Sequence, residues 1–274
     1  MRAARLGSAA RLTTLGLVVL LAGCATTRPP PAGAGASPAG LPPLPGDWRS
    51  IPNAVPRYLP PAPRGNPPFY DVDGRRYYVL ASADGYDAIG VASWYGPTFD
   101  GKYTSDGDLY NMYAMTAANK VLPLPTFVRV TNLGNGRSVI VKVDDRGPFV
   151  AHRLIDLSYV AAAKLGMLAT GTALVEVRAI TPGSPDELTS SAQSPAPMLY
   201  VQVGAFAVPA NAERVLARLQ AAGLSGAFVL SPVVTGGRLY RVRIGPVSGV
   251  PQYDALAARL AGLGYPGAVL VKAP

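Results

Sequence analysis

The sequence predicts a mainly β domain followed by an α+β domain, and three observations lead to this prediction. Segments 126–133, 138–144 and 173–180 alternate apolar and polar residues, which is the pattern of half-buried strands. A stretch of about ten residues beginning at Ala222 recurs thirty-nine positions later, each time after an apolar helical stripe. With 30 Gly and 28 Pro in 274 residues, the chain exceeds average usage, so part of it lies outside these two domains.

The N-terminus has the order of a bacterial lipoprotein signal peptide. Three arginines precede an apolar run, 12–21, that is shorter than the ~20 residues needed to span a bilayer. The run leads into Leu-Ala-Gly-Cys, which matches the lipobox, where Cys24 is lipidated and becomes the first residue of the mature protein. We therefore expect a signal peptide over 1–23 and a lipid anchor on Cys24 that faces the periplasm or cell wall. Ala25 is typical of sorting to an outer membrane.

Two segments have the composition of linkers. Residues 24–68 contain fourteen Pro interleaved with Ala and Gly, which favours an extended polyproline II helix. At about 3.1 Å per residue, such a tether would reach on the order of 100 Å. A second linker, rich in Ser, Thr and Pro, is predicted over 181–197.

The first domain is predicted to be a small closed barrel. Residues 69–88, which precede this barrel, are predicted to form a β-hairpin with Asp73-Gly74 at its turn. Asn135-Gly136 is predicted to join two alternating strands in the same way. Ser158 is placed to cap a short helix that ends at Gly166. Several strands with one short helix in about ninety residues predict a barrel over 89–180.

The residue inventory restricts the chemistry. The chain has one Cys and one His, which excludes an intrachain disulfide, a zinc ribbon, most transition-metal sites and Cys–His catalysis. Any catalysis must therefore use carboxyl groups, and we expect no metal and no cofactor.

A series of short motifs runs through the predicted barrel. They are Ala92-Ser93-Trp94-Tyr95-Gly96, Thr116-Ala117-Ala118, Leu122-Pro123, Val130-Thr131-Asn132, Asp145-Arg146-Gly147-Pro148-Phe149 and Ile155-Asp156-Leu157-Ser158. Together they resemble the rare lipoprotein A (RlpA) family. The resemblance implies a double-psi β-barrel that cleaves peptidoglycan glycan strands between N-acetylmuramic acid and N-acetylglucosamine. It also implies a preference for strands stripped of stem peptides and a 1,6-anhydro product.

The resemblance implies three catalytic positions. Asp145 matches the Asp of the family's Asp-Arg-Gly-Pro turn, whereas Asp108 stands where the family has Glu and Asn119 where it has His. In such a reaction an acidic side chain protonates the glycosidic oxygen while the C6 hydroxyl of the substrate closes on C1, and Asp145 is the first choice for this acid. Asp108 retracts its carboxyl by one methylene, and Asn119 cannot carry a proton. Asp156 is expected to serve helix entry rather than chemistry.

The second domain is predicted to be a duplicated β-α-β unit, which gives a four-stranded sheet with two helices on one face. Its strands carry Tyr200-Val201-Gln202-Val203-Gly204-Ala205-Phe206 and Tyr240-Arg241-Val242-Arg243-Ile244-Gly245-Pro246. Segment 198–274 thus resembles a SPOR domain, a family that binds denuded glycan strands and concentrates at division septa.

The same resemblance supplies the glycan-binding positions of the second domain. The family's glycan-contacting Gln and Arg fall on Gln202 and Arg241. Strand alternation places Leu239 on the face of Arg241, and it places Phe206 on the face of Gln202.

The net charge of the chain and its predicted export restrict the classes of partner that it can bind. The net charge is +9, and 198–274 holds seven Arg and Lys against two acidic residues. For an exported protein, cell-wall glycan and anionic lipid are the expected anionic partners. A nucleic-acid binder is disfavoured by the predicted anchor and by the absence of the aromatic signatures of RNA-recognition folds.

Two hypotheses for the function remain. The first is a membrane-anchored endolytic peptidoglycan lytic transglycosylase that acts on naked strands and is targeted to the division septum by its SPOR domain. The alternative, favoured by Asp108 and Asn119, is a catalytically weak or inactive glycan-binding septal lipoprotein.

Overall fold

The computed structural model describes residues 41–183, 197–234 and 237–273. The predicted signal peptide, Cys24 and most of the predicted 181–197 linker lie outside these residues. Within the described ranges, no helix combines the length and the apolar character that crossing a bilayer requires.

The first domain is a closed six-stranded barrel, as predicted. A two-stranded hairpin precedes it. The strands of hairpin and barrel are β1 (Phe69–Val72), β2 (Arg75–Tyr78), β3 (Asp87–Trp94), β4 (Thr116–Asn119), β5 (Thr126–Asn132), β6 (Ser138–Asp145), β7 (Arg153–Leu157) and β8 (Ala173–Ala179). The strand order in the barrel is β3-β7-β4-β6-β5-β8, and the pairs β3/β7 and β4/β6 are parallel.

Alternation and local capping explain the barrel elements. On β6, Val139, Val141 and Val143 all point into the buried core, as their spacing predicts. Helix α1 (Tyr159–Leu165) begins at Ser158, whose Oγ accepts a hydrogen bond from the Ala161 N–H at 3.3 Å. It ends at Gly166, which has a φ of 75° that only glycine adopts readily. Both predicted helix boundaries are therefore confirmed.

The described part of the Pro-rich segment differs from the extended tether predicted over 24–68. Its described part, 41–68, lies against the barrel, where the Ala54 N–H donates to the Ile140 carbonyl at 3.0 Å. Four of its apolar side chains pack on the barrel core: Trp48, Ile51, Ala54 and Ala62. Proline content indicated an extended backbone, but an extended backbone with apolar side chains can also coat a surface and bury area there.

The second domain is a four-stranded sheet with two helices, as the duplicated unit predicts, and its strands are antiparallel. The strands of this domain, including a small ribbon, are β9 (Leu199–Phe206), β10 (Ala227–Leu230), β11 (Val233–Val234), β12 (Gly237–Arg238), β13 (Tyr240–Val247) and β14 (Val269–Lys272). The order in the sheet is β10-β13-β9-β14. Helices α2 (Pro209–Ala221) and α3 (Val250–Gly262) follow β9 and β13.

One residue of β9 lies on the opposite face from the one that strict alternation predicts. The register between β9 and β13 shifts between Val242 and Arg243, so that Val242 pairs with Gly204 but Arg243 pairs with Gln202. Phe206 consequently packs against the apolar core beneath the helices and does not share the face of Gln202.

The packing of 41–68 gives the first prediction. Trp48→Ala should lower the free energy of unfolding by about 1–2 kcal/mol, because a half-buried indole that packs on the barrel core is removed. Thermal unfolding followed by circular dichroism measures this change. Tyr58→Ala is the control, since Tyr58 is 84% exposed in the same segment. Equal melting temperatures for the two variants would contradict the packing.

Candidate active site

Two acidic residues share one row across three barrel strands. Ala118 on β4 pairs with Asp145 on β6 and with Asp156 on β7. Paired residues on neighbouring strands project from the same face, and strands lie about 4.8 Å apart, so the two Cα atoms are roughly 10 Å apart. Ser93 on β3 pairs with Asp156 and extends the row.

A register shift directs Asp145 out of the barrel. Strict alternation would put Asp145 on the same face as Val143, which is fully buried in the core. The pairing shifts between Ala117 and Ala118, so that Ala117 pairs with Val143 but Ala118 pairs with Asp145. This bulge places the Asp145 side chain beside Ala118, on the outer face.

The carboxylate of Asp145 is held by three donors. Its Oδ1 accepts hydrogen bonds from the Ser105 N–H at 2.9 Å, from the Ser105 hydroxyl at 2.6 Å and from the Arg146 N–H at 2.7 Å. The loop that contains Ser105 is therefore fixed to the turn that follows β6, and the carboxylate has a defined orientation.

The guanidinium of Arg146 joins two distant segments. It donates to the Gly65 carbonyl at 2.9 and 2.8 Å and to the Leu122 carbonyl at 2.5 Å. It also donates to the Asn119 carbonyl at 3.1 Å. Arg146 thereby attaches the Pro-rich segment to the end of β4.

Asn119, one of the predicted catalytic residues, is only 1% exposed. Its Oδ1 accepts from the N–H groups of Val121 and Leu122, both at 2.9 Å, and its Nδ2 donates to the Leu154 carbonyl at 3.2 Å. These bonds shape the turn after β4. The side chain is therefore engaged with the backbone beneath the surface.

Asp108, another of the predicted catalytic residues, forms an ion pair. Its side chain is 64% exposed, and its Oδ2 lies 2.6 Å from Lys142 Nζ. The same amine lies 3.8 Å from Asp106 and 3.4 Å from Asp144. Lys142 is thus surrounded by three carboxylates and holds the loop of Asp106 and Asp108 against β6.

Asp144 is the most buried member of this cluster. Burial raises the pKa of its carboxyl to about 7, although the charge of Lys142 opposes the shift. Within the described residues its Oδ1 has no hydrogen-bond partner, and the same holds for the hydroxyls of Tyr95 and Thr116. Asp144 was not among the residues singled out from the sequence, because its burial depends on the loop that covers it.

Asp156 has a different role from the one predicted. It was expected to serve helix entry, but Ser158 caps α1, and the Asp156 Oδ1 accepts a hydrogen bond from the Ser93 hydroxyl. Burial raises the pKa of the Asp156 carboxyl, and the charge of Asp145 adds to this shift. The signal was present in β7, where Ile155 and Leu157 are buried and the residue between them must face outward.

One face of the second sheet carries the predicted residues Gln202 and Arg241, both half-buried. Gln202 pairs with Arg243, whose Nε donates to Gln202 Oε1 at 3.2 Å. Arg241, two residues from Arg243, lies on the same face, opposite the buried Val242. Leu239 is half-buried and lies just before β13.

Family models match both domains. Residues 87–177 match a model described as lytic transglycolase, and residues 199–272 match the SPOR domain. A protein of Pseudomonas aeruginosa strain UCBPP-PA14, named endolytic peptidoglycan transglycosylase RlpA, is 38% identical over 277 residues, which cover 80% of this chain and 81% of the relative. This chain belongs to the RlpA family.

Other relatives carry the same name. The RlpA of Vibrio cholerae is 41% identical over 187 residues, which cover 68% of this chain and 70% of the relative. Among solved structures, an apo expansin of Clavibacter michiganensis covers 43% of this chain and 56% of its own length, at 19% identity and a TM-score of 0.28. The match to the lytic transglycolase model begins at residue 87, so hairpin β1–β2 lies before the matched range.

The buried carboxyl of Asp144 gives a prediction on pH and stability. Its folded pKa of about 7 exceeds the ordinary 3.8, so the folded state binds more protons than the unfolded state between about pH 4 and pH 7. Stability therefore falls as the pH rises through that window. Asp144→Asn should flatten this slope and raise the melting temperature at pH 8 by about 2–4 °C for each kcal/mol relieved.

Melting curves at half-unit intervals from pH 4 to pH 8 test this expectation. Asp108→Asn is the control, because it removes another carboxylate from Lys142 but at an exposed position. A slope in Asp144→Asn as steep as that of the wild type would contradict the assignment to this carboxyl.

Proposed function

We propose that this protein is an endolytic lytic transglycosylase that cleaves peptidoglycan between N-acetylmuramic acid and N-acetylglucosamine and leaves a 1,6-anhydro end. One observation carries the proposal: Asp145 and Asp156 flank Ala118 in a single row on the outer face of the barrel. The names of the RlpA relatives give the class of reaction.

The two carboxyl groups divide the proton transfers. Burial raises the pKa of Asp156 above that of a free carboxyl, which suits it to the acid role, and it donates a proton to the glycosidic oxygen as the C1–O bond breaks. The C6 hydroxyl of the muramic acid then closes on C1, and Asp145 accepts the hydroxyl proton. Asp145 is oriented for this step by the two donors of Ser105. The motif match predicted Asp145 as the acid, whereas the raised pKa of the buried Asp156 carboxyl favours Asp156 for this role.

Asp108 and Asn119 have supporting roles in this scheme. Asp108 holds its loop to Lys142, and that loop carries Ser105, which contacts Asp145. Asn119 fixes the turn after β4. The replacement of Glu and His at these positions therefore leaves both reacting carboxyls in place.

The alternative function is a glycan-binding lipoprotein with weak or no catalysis. One observation favours it: the Asp108 carboxylate is paired with Lys142, and the Asn119 side chain is buried, so neither position offers a proton-transfer group to a substrate. Under this alternative the barrel binds glycan strands without cleaving them.

The sheet of the SPOR domain would hold the strand on which the barrel acts. We propose that Gln202, Arg241 and Leu239 bind glycan stripped of stem peptides, which enriches the protein at the division septum. The amide of Gln202 and the guanidinium of Arg241, both half-buried on one sheet face, can donate hydrogen bonds to a polysaccharide with many hydroxyls. Lipidation of Cys24 would retain the protein at the membrane, in an outer membrane where the cell has one.

The catalytic proposal predicts the effect of two substitutions. Asp156→Asn and Asp145→Asn should each lower the rate of anhydro-product formation on peptide-free strands by at least about 100-fold, since each removes a proton-transfer group. Mass spectrometry of the released ends, with protein that begins after Cys24, measures this rate.

Asp71→Asn is the matched control, because Asp71 pairs with Arg76 on the outer face of the hairpin. Wild-type binding without any anhydro product would favour the alternative function. Full activity in Asp156→Asn, with loss in Asp145→Asn, would return the acid role to Asp145.

The SPOR proposal predicts a loss of binding. Gln202→Ala or Arg241→Ala should weaken sedimentation with denuded glycan strands by about 5- to 10-fold, because each removes donors from the sheet face. Arg214→Ala on α2 removes the same charge elsewhere in the domain and should leave binding unchanged. Equal binding by all three variants would contradict the assignment of this face.

A further inference from the structure

Hairpin β1–β2 lies against the candidate site. The rings of Tyr70 and Tyr77 stack with centroids 5.4 Å apart, and the Tyr77 ring lies 5.6 Å from that of Phe149. The Tyr70 hydroxyl donates to the Lys120 carbonyl at 2.8 Å. This face of the hairpin is therefore fixed both to the turn that follows Asp145 and to the end of β4.

The two adjacent arginines of the hairpin have different surroundings. Arg76, on the outer face, forms two hydrogen bonds of 3.0 Å with the Asp71 carboxylate. Arg75 shares the face of Tyr77, and its guanidinium lies 5.4 Å from the centre of that ring. Arg75 is exposed, and in the part of the chain that the structure describes no carboxylate forms an ion pair with it. Stacking on an aromatic ring orients the guanidinium but leaves the donors on its edges open.

Four cations of the barrel near the hairpin and the acidic row are already engaged. Lys142 is surrounded by carboxylates, Arg146 donates to carbonyl oxygens, and Arg153 forms two bonds of 2.8 and 3.0 Å with Asp254. Lys120 donates to a backbone carbonyl. Among these cations, Arg75 is the one whose guanidinium is oriented and still open to an anion.

Electrostatic effects on Lys120 support the location of Arg75. Burial lowers the pKa of the Lys120 amine and the charge of Arg75 lowers it further, whereas Asp156 raises it. One amine thus lies within range of both Arg75 and a carboxyl of the candidate site.

We propose that Arg75 binds the free carboxylate of the lactyl group on an N-acetylmuramic acid ring stripped of its stem peptide. This rests on the proposed function and names the feature of the substrate that the barrel itself recognises. A guanidinium matches a carboxylate with two parallel hydrogen bonds. Phe149, 40% exposed beside Tyr77, offers a ring face to the apolar side of the sugar.

The proposal explains a preference for denuded strands. When the stem peptide is present, the lactyl carboxyl is an amide and carries no charge. Removal of the peptide creates the anion that Arg75 can bind, so selectivity arises in the barrel as well as in the SPOR domain.

The experiment compares the cleavage of two glycans by the protein that begins after Cys24. One is a peptide-free strand with free lactyl carboxylates, and the other is the same strand with those carboxylates converted to methylamides. Wild type should have a kcat/KM about 10-fold higher on the free carboxylates, since a charge-assisted pair is lost on the amide. In Arg75→Gln, the kcat/KM on the free-carboxylate strand should fall to the value on the methylamide strand, so the difference disappears. Arg75→Lys should retain part of the difference.

Arg76→Gln is the matched control, because it removes the neighbouring charge on the outer face, and it should behave as wild type on both strands. Equal cleavage of both strands by wild type would overturn the proposal. An equal loss by Arg75→Gln on both strands would overturn it too, since that is the result of a structural role.

Binding to the two strands is measured alongside cleavage. If wild type cleaves neither strand, the proposed function fails, and Arg75 is then judged by affinity alone. A loss in Arg75→Gln confined to the free-carboxylate strand would support the proposal, and unchanged affinity would overturn it.

Discussion

The register shift between β4 and β6 is the constraint on which the candidate site depends. A regular ladder would bury Asp145 beside Val143, where an ionised carboxylate is costly. With the shift, the same strand supplies valines to the core and a carboxylate to the outer face. The Arg146 N–H and the loop of Ser105 then hold this carboxylate. One irregularity in the ladder thus places a carboxylate on the outer face at the end of a core strand.

Sequence patterns predicted the elements whose causes are local. Alternation predicted the valines of β6, and cap chemistry predicted both ends of α1 at Ser158 and Gly166. Within the candidate site, the Asp-Arg-Gly-Pro motif predicted Asp145, whereas Asp156 was predicted to serve helix entry. The residues that sequence reasoning misplaced depend on pairing between distant strands or on coverage by another segment. Phe206 changes face because of a bulge that no local signal marks.

Contacts with the rest of the barrel account for the side chains at the two positions that depart from the family pattern. Lys142 is shared by three carboxylates, of which Asp106 and Asp144 are nearly covered, and this cluster determines where the loop before β4 lies. Both the oxygen and the nitrogen of the Asn119 amide form hydrogen bonds with the backbone. In both cases the substituted side chain stabilises a loop, and the polar atoms that face the outer row come from Ser93, Asp145 and Asp156.

The packing of residues 41–68 on the barrel shortens the distance at which a lipid on Cys24 would hold the barrel from the membrane. Under the proposed lipidation of Cys24, sixteen residues, 25–40, separate the lipid from the point at which the chain meets the barrel. Even fully extended, sixteen residues span at most about 55 Å. That point of the barrel would therefore be held within this distance of the membrane, and only the wall strands that the site reaches from there would become substrates.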